Sequence, residues 1–318
     1  MSKLQKALGM LRSDHESGTA GSSDSERDRQ VKREYNDRNL LAGSSRSSVR
    51  PRYVAAPGLE GEAPADYSIQ IDRNALANER LLQDAADREV IAQQFRRIKR
   101  PVLDLAFGHG VPETIGSPNV IMMASALAMS GKTFCSLNLA MSIARERDFG
   151  AVLVDADVLK PNISRALGLE NRVGLIDFLL NPEIGLEDVL VGTNLQDIVV
   201  VPAGQQHGEA TELLASRRMK EFISRMSERF PGRAIIVDTP PLLVTNEAQV
   251  LAEHMGQIVL VIEAGKSTHN VVLEALNSLN RDKPINAILN KARDNAFDQY
   301  GGGGYGYYSA PQGGNGHE

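Results

Sequence analysis

Apolar residues fall along this chain in short runs, at residues 120–123, 151–154, 198–201, 234–237, 258–262 and 285–289, all unbroken but the last, which Asn286 interrupts. Continuous rather than alternating hydrophobicity predicts strands buried on both faces, as in a parallel sheet. Between the runs the spacing changes to three and four. Phe134, Leu137, Ala140 and Met141 follow the first run in helical register, and residues 210–230 carry a long helical pattern. Residues 84–100 do the same through Val90, Ile91, Phe95 and Ile98, and Pro101 is expected to end that helix. The pattern predicts an α/β fold, a mostly parallel sheet flanked by helices.

In such a sheet ligands gather where the strands end. The first run leads into Ser130-Gly131-Lys132-Thr133, a phosphate-loop ending at a helix N-terminus. Free backbone N–H groups and the helix dipole favour an anion there. Lys132 would reach the terminal phosphates, and the Thr133 hydroxyl would ligate Mg²⁺. The usual first glycine of the motif is replaced by Ala126. Asp155 and Asp157 close the second run, Asp238 closes the fourth, and Asn290 closes the last. Converged, these carboxylates supply the hard oxygen ligands and the proton acceptor that Mg²⁺-nucleotide chemistry needs.

Composition narrows the reading. The net charge of −5 over 318 residues gives no support for a nucleic-acid binder. The single cysteine, Cys135, excludes a disulfide framework and is expected in the core of the helix after the loop. No apolar run approaches the ~18 residues of a membrane span, so a cytoplasmic protein is expected. Residues 1–66 have linker composition, rich in Ser, Gly and Pro, and residues 1–52 carry a net +4. At the very start Leu4, Ala7, Leu8 and Leu11 share one face of a short amphipathic helix, a candidate contact for a partner or a membrane surface. Arg96, Arg97, Lys99 and Arg100 form a basic cluster, read as a solvated face or an intersubunit contact. At the other end, Tyr300, Tyr305, Tyr307 and Tyr308 lie among glycines, which leave the rings free of regular structure. The expected organisation is a 1–66 linker, a 67–292 nucleotide-binding domain and a 293–318 tail.

Together, V-L-V-D-A-D-V-L-K-P (152–161), the phosphate loop and I-I-V-D-T-P-P (235–241) resemble the Walker A′, Walker A and Walker B motifs of bacterial tyrosine kinases of exopolysaccharide synthesis. The likeness is nearest to the exosortase-associated tyrosine autokinases and extends over about residues 93–308. R-V-G-L-I-D-F-L (172–179), P-A-G (202–204), E-L-L (212–214) and L-N-K (289–291) fit as well. The resemblance implies a P-loop fold related to partition and division ATPases, with ATP and Mg²⁺ as cofactors. It implies that Ser130, Gly131, Lys132, Thr133 and Phe134 hold the nucleotide and that Asn290 lies at the adenine position. It further implies metal ligation by Thr133, Asp155 and Asp238, with Asp157 accepting the proton of the attacking hydroxyl. Tyr300, Tyr305, Tyr307 and Tyr308 would be the phosphoacceptors. From Asn290 to Tyr305 the extended chain spans up to about 50 Å, enough for delivery to a neighbouring copy. The resemblance also implies a homo-oligomer at the inner face of the cell membrane, activated by a transmembrane polysaccharide co-polymerase that regulates chain length.

The sequence departs from that pattern in three places. Met129 stands where the family has a glycine, Leu159 where it has an arginine, and Gln93, Arg96 and Lys99 replace its E-x-x-R-x-x-R oligomerisation motif. Two alternatives therefore stay open, a partition-type ATPase switch and a catalytically weak nucleotide-binding regulatory subunit. Leu127 occupies the position of the second lysine that partition ATPases carry, which argues against the first.

Overall fold

In a computed structural model, residues 68–292 are described apart from 73–75, 78–80, 82–87, 109–114, 195–196 and 281. The amphipathic segment at Leu4–Leu11, the tail tyrosines and the linker lie outside the described residues. Eight strands form one sheet: β1 (Ser68–Ile69), β2 (Val120–Ser125), β3 (Gly150–Asp155), β4 (Val191–Thr193), β5 (Ile198–Val201), β6 (Arg233–Asp238), β7 (Gln257–Glu263) and β8 (Ile285–Asn290). Their spatial order is β1-β4-β5-β3-β6-β2-β7-β8. Every pairing is parallel except that of β4 with β5.

The six apolar runs became the six longer strands; β2, β3, β5, β6 and β7 lie inside the sheet with their residues packed on both faces, whereas β8 is the edge strand and buries little beyond Ile288. Along β2, Val120, Met122 and Ala124 face one layer, while Ile121 and Met123 face the other. The second layer is built from helix α1 (Arg88–Phe107) and helix α2 (Lys132–Ile143), which contribute Phe95, Val102, Leu137, Leu139 and Ile143. The short helices α3 (Asn162–Ala166), α4 (Leu175–Leu180) and α5 (Ala210–Leu214) surround the ligand rim of the sheet. Helices α6 (Arg217–Arg229), α7 (Asn246–His254) and α8 (His269–Asn277) complete the first layer through Phe222, Met226, Leu251 and Val272.

Three expectations fail, each for a local reason. Pro101 lies inside α1 and does not end it. Its ring costs the helix about 3 kcal/mol, but the next turn buries Val102 and Leu103, worth about 1.5–3 kcal/mol each. The stripe also rotates, leaving Val90 exposed. The pattern over 210–230 is two helices, because Ser216 is extended and its hydroxyl caps α6 by accepting from Met219 N. Finally, Lys99 is not on a solvated face. It is buried, donating to Ser142 O at 2.7 Å and pairing with Glu146 at 2.6 Å, whereas Arg96 stays exposed and pairs with Glu89.

Candidate nucleotide site

The loop between β2 and α2 turns on Gly131, whose φ of 90° is left-handed. That φ strains any residue with a side chain, and a Cβ there would also displace the Asn290 amide from the loop. The first intrahelical bond runs from Cys135 N to Gly131 O, which leaves the N–H groups of Lys132, Thr133 and Phe134 ahead of it without helical acceptors. Met129 is left-handed too, at φ 64°, with its side chain 80% exposed. Ser130 donates its hydroxyl to Leu127 O, tightening the loop across its base.

The structure brings the expected carboxylates to this loop. Asp155 and Asp238 end adjacent strands as register partners, and both are buried. Thr133 Oγ1 donates to Asp238 Oδ2 at 2.7 Å. Ser136, one turn along α2, donates to Asp238 Oδ1 at 3.0 Å. Asp155 Oδ2 accepts from both the backbone N–H and the hydroxyl of Ser164 at 2.8 Å, while its Oδ1 is buried with no hydrogen-bond partner. Asp157, beyond the end of β3, accepts from Lys160 N. Lys132 is buried and close enough for its charge to act on both Asp157 and Asp238.

Crowding these anions out of water raises their proton affinities. Burial, then the neighbouring Asp238 charge, pushes Asp155 up to about 8. Burial lifts Asp157 to about 6 against the pull of Lys132. Burial also raises Asp238, opposed by Lys132 and by the Thr133 and Ser136 hydroxyls. Such a cluster stays ionised at neutral pH only with additional positive charge, and the orphaned Asp155 Oδ1 is a ready acceptor for it. Asp155, Asp238 and the Thr133 hydroxyl present hard oxygen donors at one rim of the sheet. That suits Mg²⁺, which keeps waters and takes one or two carboxylates plus substrate phosphates. The residues present fit the ion.

Phe134 lies on the apolar face of α2, as its spacing predicts. Its ring packs edge-on against Phe95 with centroids 6.2 Å apart, so its backbone N–H is the part available to the loop. Asn290 reaches the loop directly, donating from Nδ2 to Ser130 O at 2.9 Å. Cys135 is in the core as expected, and burial pushes its thiol up to about 12. The sequence reading missed Ser136, Ser164, Glu263 and Lys291. Serine one turn after Lys132 carries no signal of its own, and Lys291 gave one only as part of L-N-K. The segments 172–179 and 202–204 do meet: Leu175 N donates to Pro202 O, and Asp177 Oδ2 accepts from Gly174 N and Gln205 N.

The comparisons agree with this geometry. The chain is 32% identical over 183 residues to the tyrosine-protein kinase YwqD of Bacillus subtilis, covering 57% of this chain and 76% of that one. It is 28% identical over 220 residues to the succinoglycan biosynthesis transport protein ExoP of Rhizobium meliloti, covering 68% of this chain but only 27% of ExoP. The solved kinase domain of the Escherichia coli tyrosine kinase ETK superposes with a TM-score of 0.54 at 26% identity, over 73% of this chain and 84% of that domain. No family model matches the chain.

Proposed function

Because the chain belongs to the bacterial tyrosine kinases, we propose that it transfers the γ-phosphoryl group of ATP to tyrosines of its own C-terminal tail, in trans, within a homo-oligomer. The observation that carries this reading is the contact of Thr133 with Asp238, 2.7 Å long, beside the in-register Asp155 and the buried Lys132. Phosphoryl transfer through a loose transition state needs alignment and charge neutralisation more than a strong base. Here Lys132 would balance charge on the β and γ phosphates, and the N–H groups opening α2 would orient them. Thr133, Asp155 and Asp238 would hold Mg²⁺, which when bound withdraws charge from the phosphate oxygens. Asp157, raised toward neutrality by burial, would accept the tyrosine proton.

The acceptors in this reading are Tyr300, Tyr305, Tyr307 and Tyr308, supported by their glycine-rich setting. The pathway is exopolysaccharide biosynthesis and export, supported by the name of ExoP, and the activator is a transmembrane polysaccharide co-polymerase. No described helix is long and apolar enough to cross a membrane, so attachment to the inner face would come through that partner or through residues 1–12.

The test is incubation of the purified chain with Mg-ATP, followed by phosphotyrosine detection and mass-spectrometric mapping. Label on the tail supports the reading. ATP hydrolysis without label would favour a partition-type switch, and neither activity would favour a nucleotide-binding adaptor.

A further inference from the structure

Two consecutive residues at the end of β8 grip two consecutive carbonyls of the phosphate loop. Asn290 Nδ2 donates to Ser130 O at 2.9 Å, and Lys291 Nζ donates to Met129 O at 2.8 Å. The same ammonium lies 3.1 Å from Glu263 Oε1 at the end of β7. Glu263 in turn pairs with Lys266 at 3.4 Å. Three strand ends, those of β2, β7 and β8, are thus tied at one point.

Both ends of the Lys291 contact are left-handed, Met129 at φ 64° and Lys291 at φ 58°. Met129 has a left-handed backbone that a side-chain-bearing residue adopts only at a cost, and its side chain is too exposed for burial to offset that cost. Its carbonyl, by contrast, receives a charge-assisted bond. In a planar trans peptide the C=O and N–H point in opposite directions. Fixing Met129 O toward Lys291 therefore turns Ser130 N–H away from β8, and fixing Ser130 O toward Asn290 does the same for Gly131 N–H. These are backbone donors of the phosphate loop.

We propose that Lys291, oriented by Glu263, is a positioning residue that holds Met129 in its left-handed turn and so aims the loop amides at the nucleotide phosphates. The proposal rests on the reading of this loop as the ATP site. In this chain a lysine just past the end of β8 supplies by a tether what a glycine supplies by conformational freedom.

The test compares Lys291→Met in two backgrounds, wild type and Met129→Gly, by Mg-ATP affinity and by hydrogen exchange of the loop amides in the nucleotide-free protein. In the wild-type background Lys291→Met should weaken ATP about tenfold, in line with one lost bond to a charged group, and should speed exchange at residues 127–131. In the Met129→Gly background, where φ > 0 costs nothing, the same change should weaken ATP less than about threefold. Lys291→Arg should restore most of the affinity, because a cation still reaches both Glu263 and the carbonyl. Equal losses in both backgrounds, or unchanged loop exchange, would overturn the proposal. If wild type binds no ATP while loop exchange still responds to Lys291→Met, the nucleotide reading falls and the tether stands.

Discussion

Asp155 and Asp238 face each other across β3 and β6 as register partners, both shut away from water, with one oxygen of Asp155 unpartnered. The pair has a consequence for stability in the absence of ligand. Asp155 titrates near 3.8 when unfolded and at about 8 when folded, so across that interval the folded chain holds the extra proton. Stability from this group is therefore fully present below 3.8 and is lost as pH rises toward 8. Thermal unfolding of the metal-free, nucleotide-free protein should show the difference between Asp155→Asn and wild type growing in favour of the variant from pH 5 to pH 8. Taking the difference matters, because burial lowers His254 and that group works in the opposite sense. A difference that is flat with pH would refute the buried-anion account.

Lys132→Met removes a buried cation whose charge acts on both Asp157 and Asp238. In the proposed reaction, autophosphorylation should fall by at least about 10²-fold, the usual scale for deleting one preorganised electrostatic contact. Wild-type labelling of this variant would exclude the site.

Asp157→Asn should bind Mg-ATP and label slowly, by about 10²–10⁴-fold less than wild type. The wild-type kcat/KM, which reports the nucleotide-free enzyme, should also decline as pH drops through about 6, where burial places proton uptake by Asp157, and the variant should lack that limb. Unchanged turnover would take Asp157 out of the base role.

Replacing Tyr300, Tyr305, Tyr307 and Tyr308 together with Phe should leave ATP affinity intact and remove most of the label. Persistent labelling, mapped by mass spectrometry, would move the acceptor to another tyrosine such as Tyr35, Tyr53 or Tyr67.

Buried strands announce themselves in sequence because both faces demand apolar residues, which is why β2, β3, β5, β6 and β7 were legible to within a residue or two; the edge strand β8 was legible from its Ile and Leu residues although only Ile288 is buried. Strands β1 and β4, two and three residues long, are too short to carry a period. Propensity misled at Pro101, where burial on the following turn outweighed the local penalty, and at Ser216, whose capping hydroxyl breaks an otherwise continuous pattern. Asp155 and Asp238 were readable as site residues from their places at strand ends. Ser136 and Ser164 were not, because hydroxyls acquire meaning only from partners that the fold brings near: Ser136 meets Asp238 across 102 positions. Glu263 and Lys291 share that difficulty, since the carbonyl Lys291 holds is 162 residues earlier.

The orientation of β8 reaches beyond the sheet. Because it runs parallel to β7, the polypeptide leaves β8, the last strand among the described residues, at Lys291, on the chemical edge and beside Met129. An antiparallel final strand of six residues would have released it about 20 Å away, on the far side of the sheet. In the proposed reaction the acceptor is thereby leashed to the rim where phosphate is handed over. Its supply is set by leash length and by the packing of neighbouring copies, and dilution of the protein weakens it only as far as those copies separate.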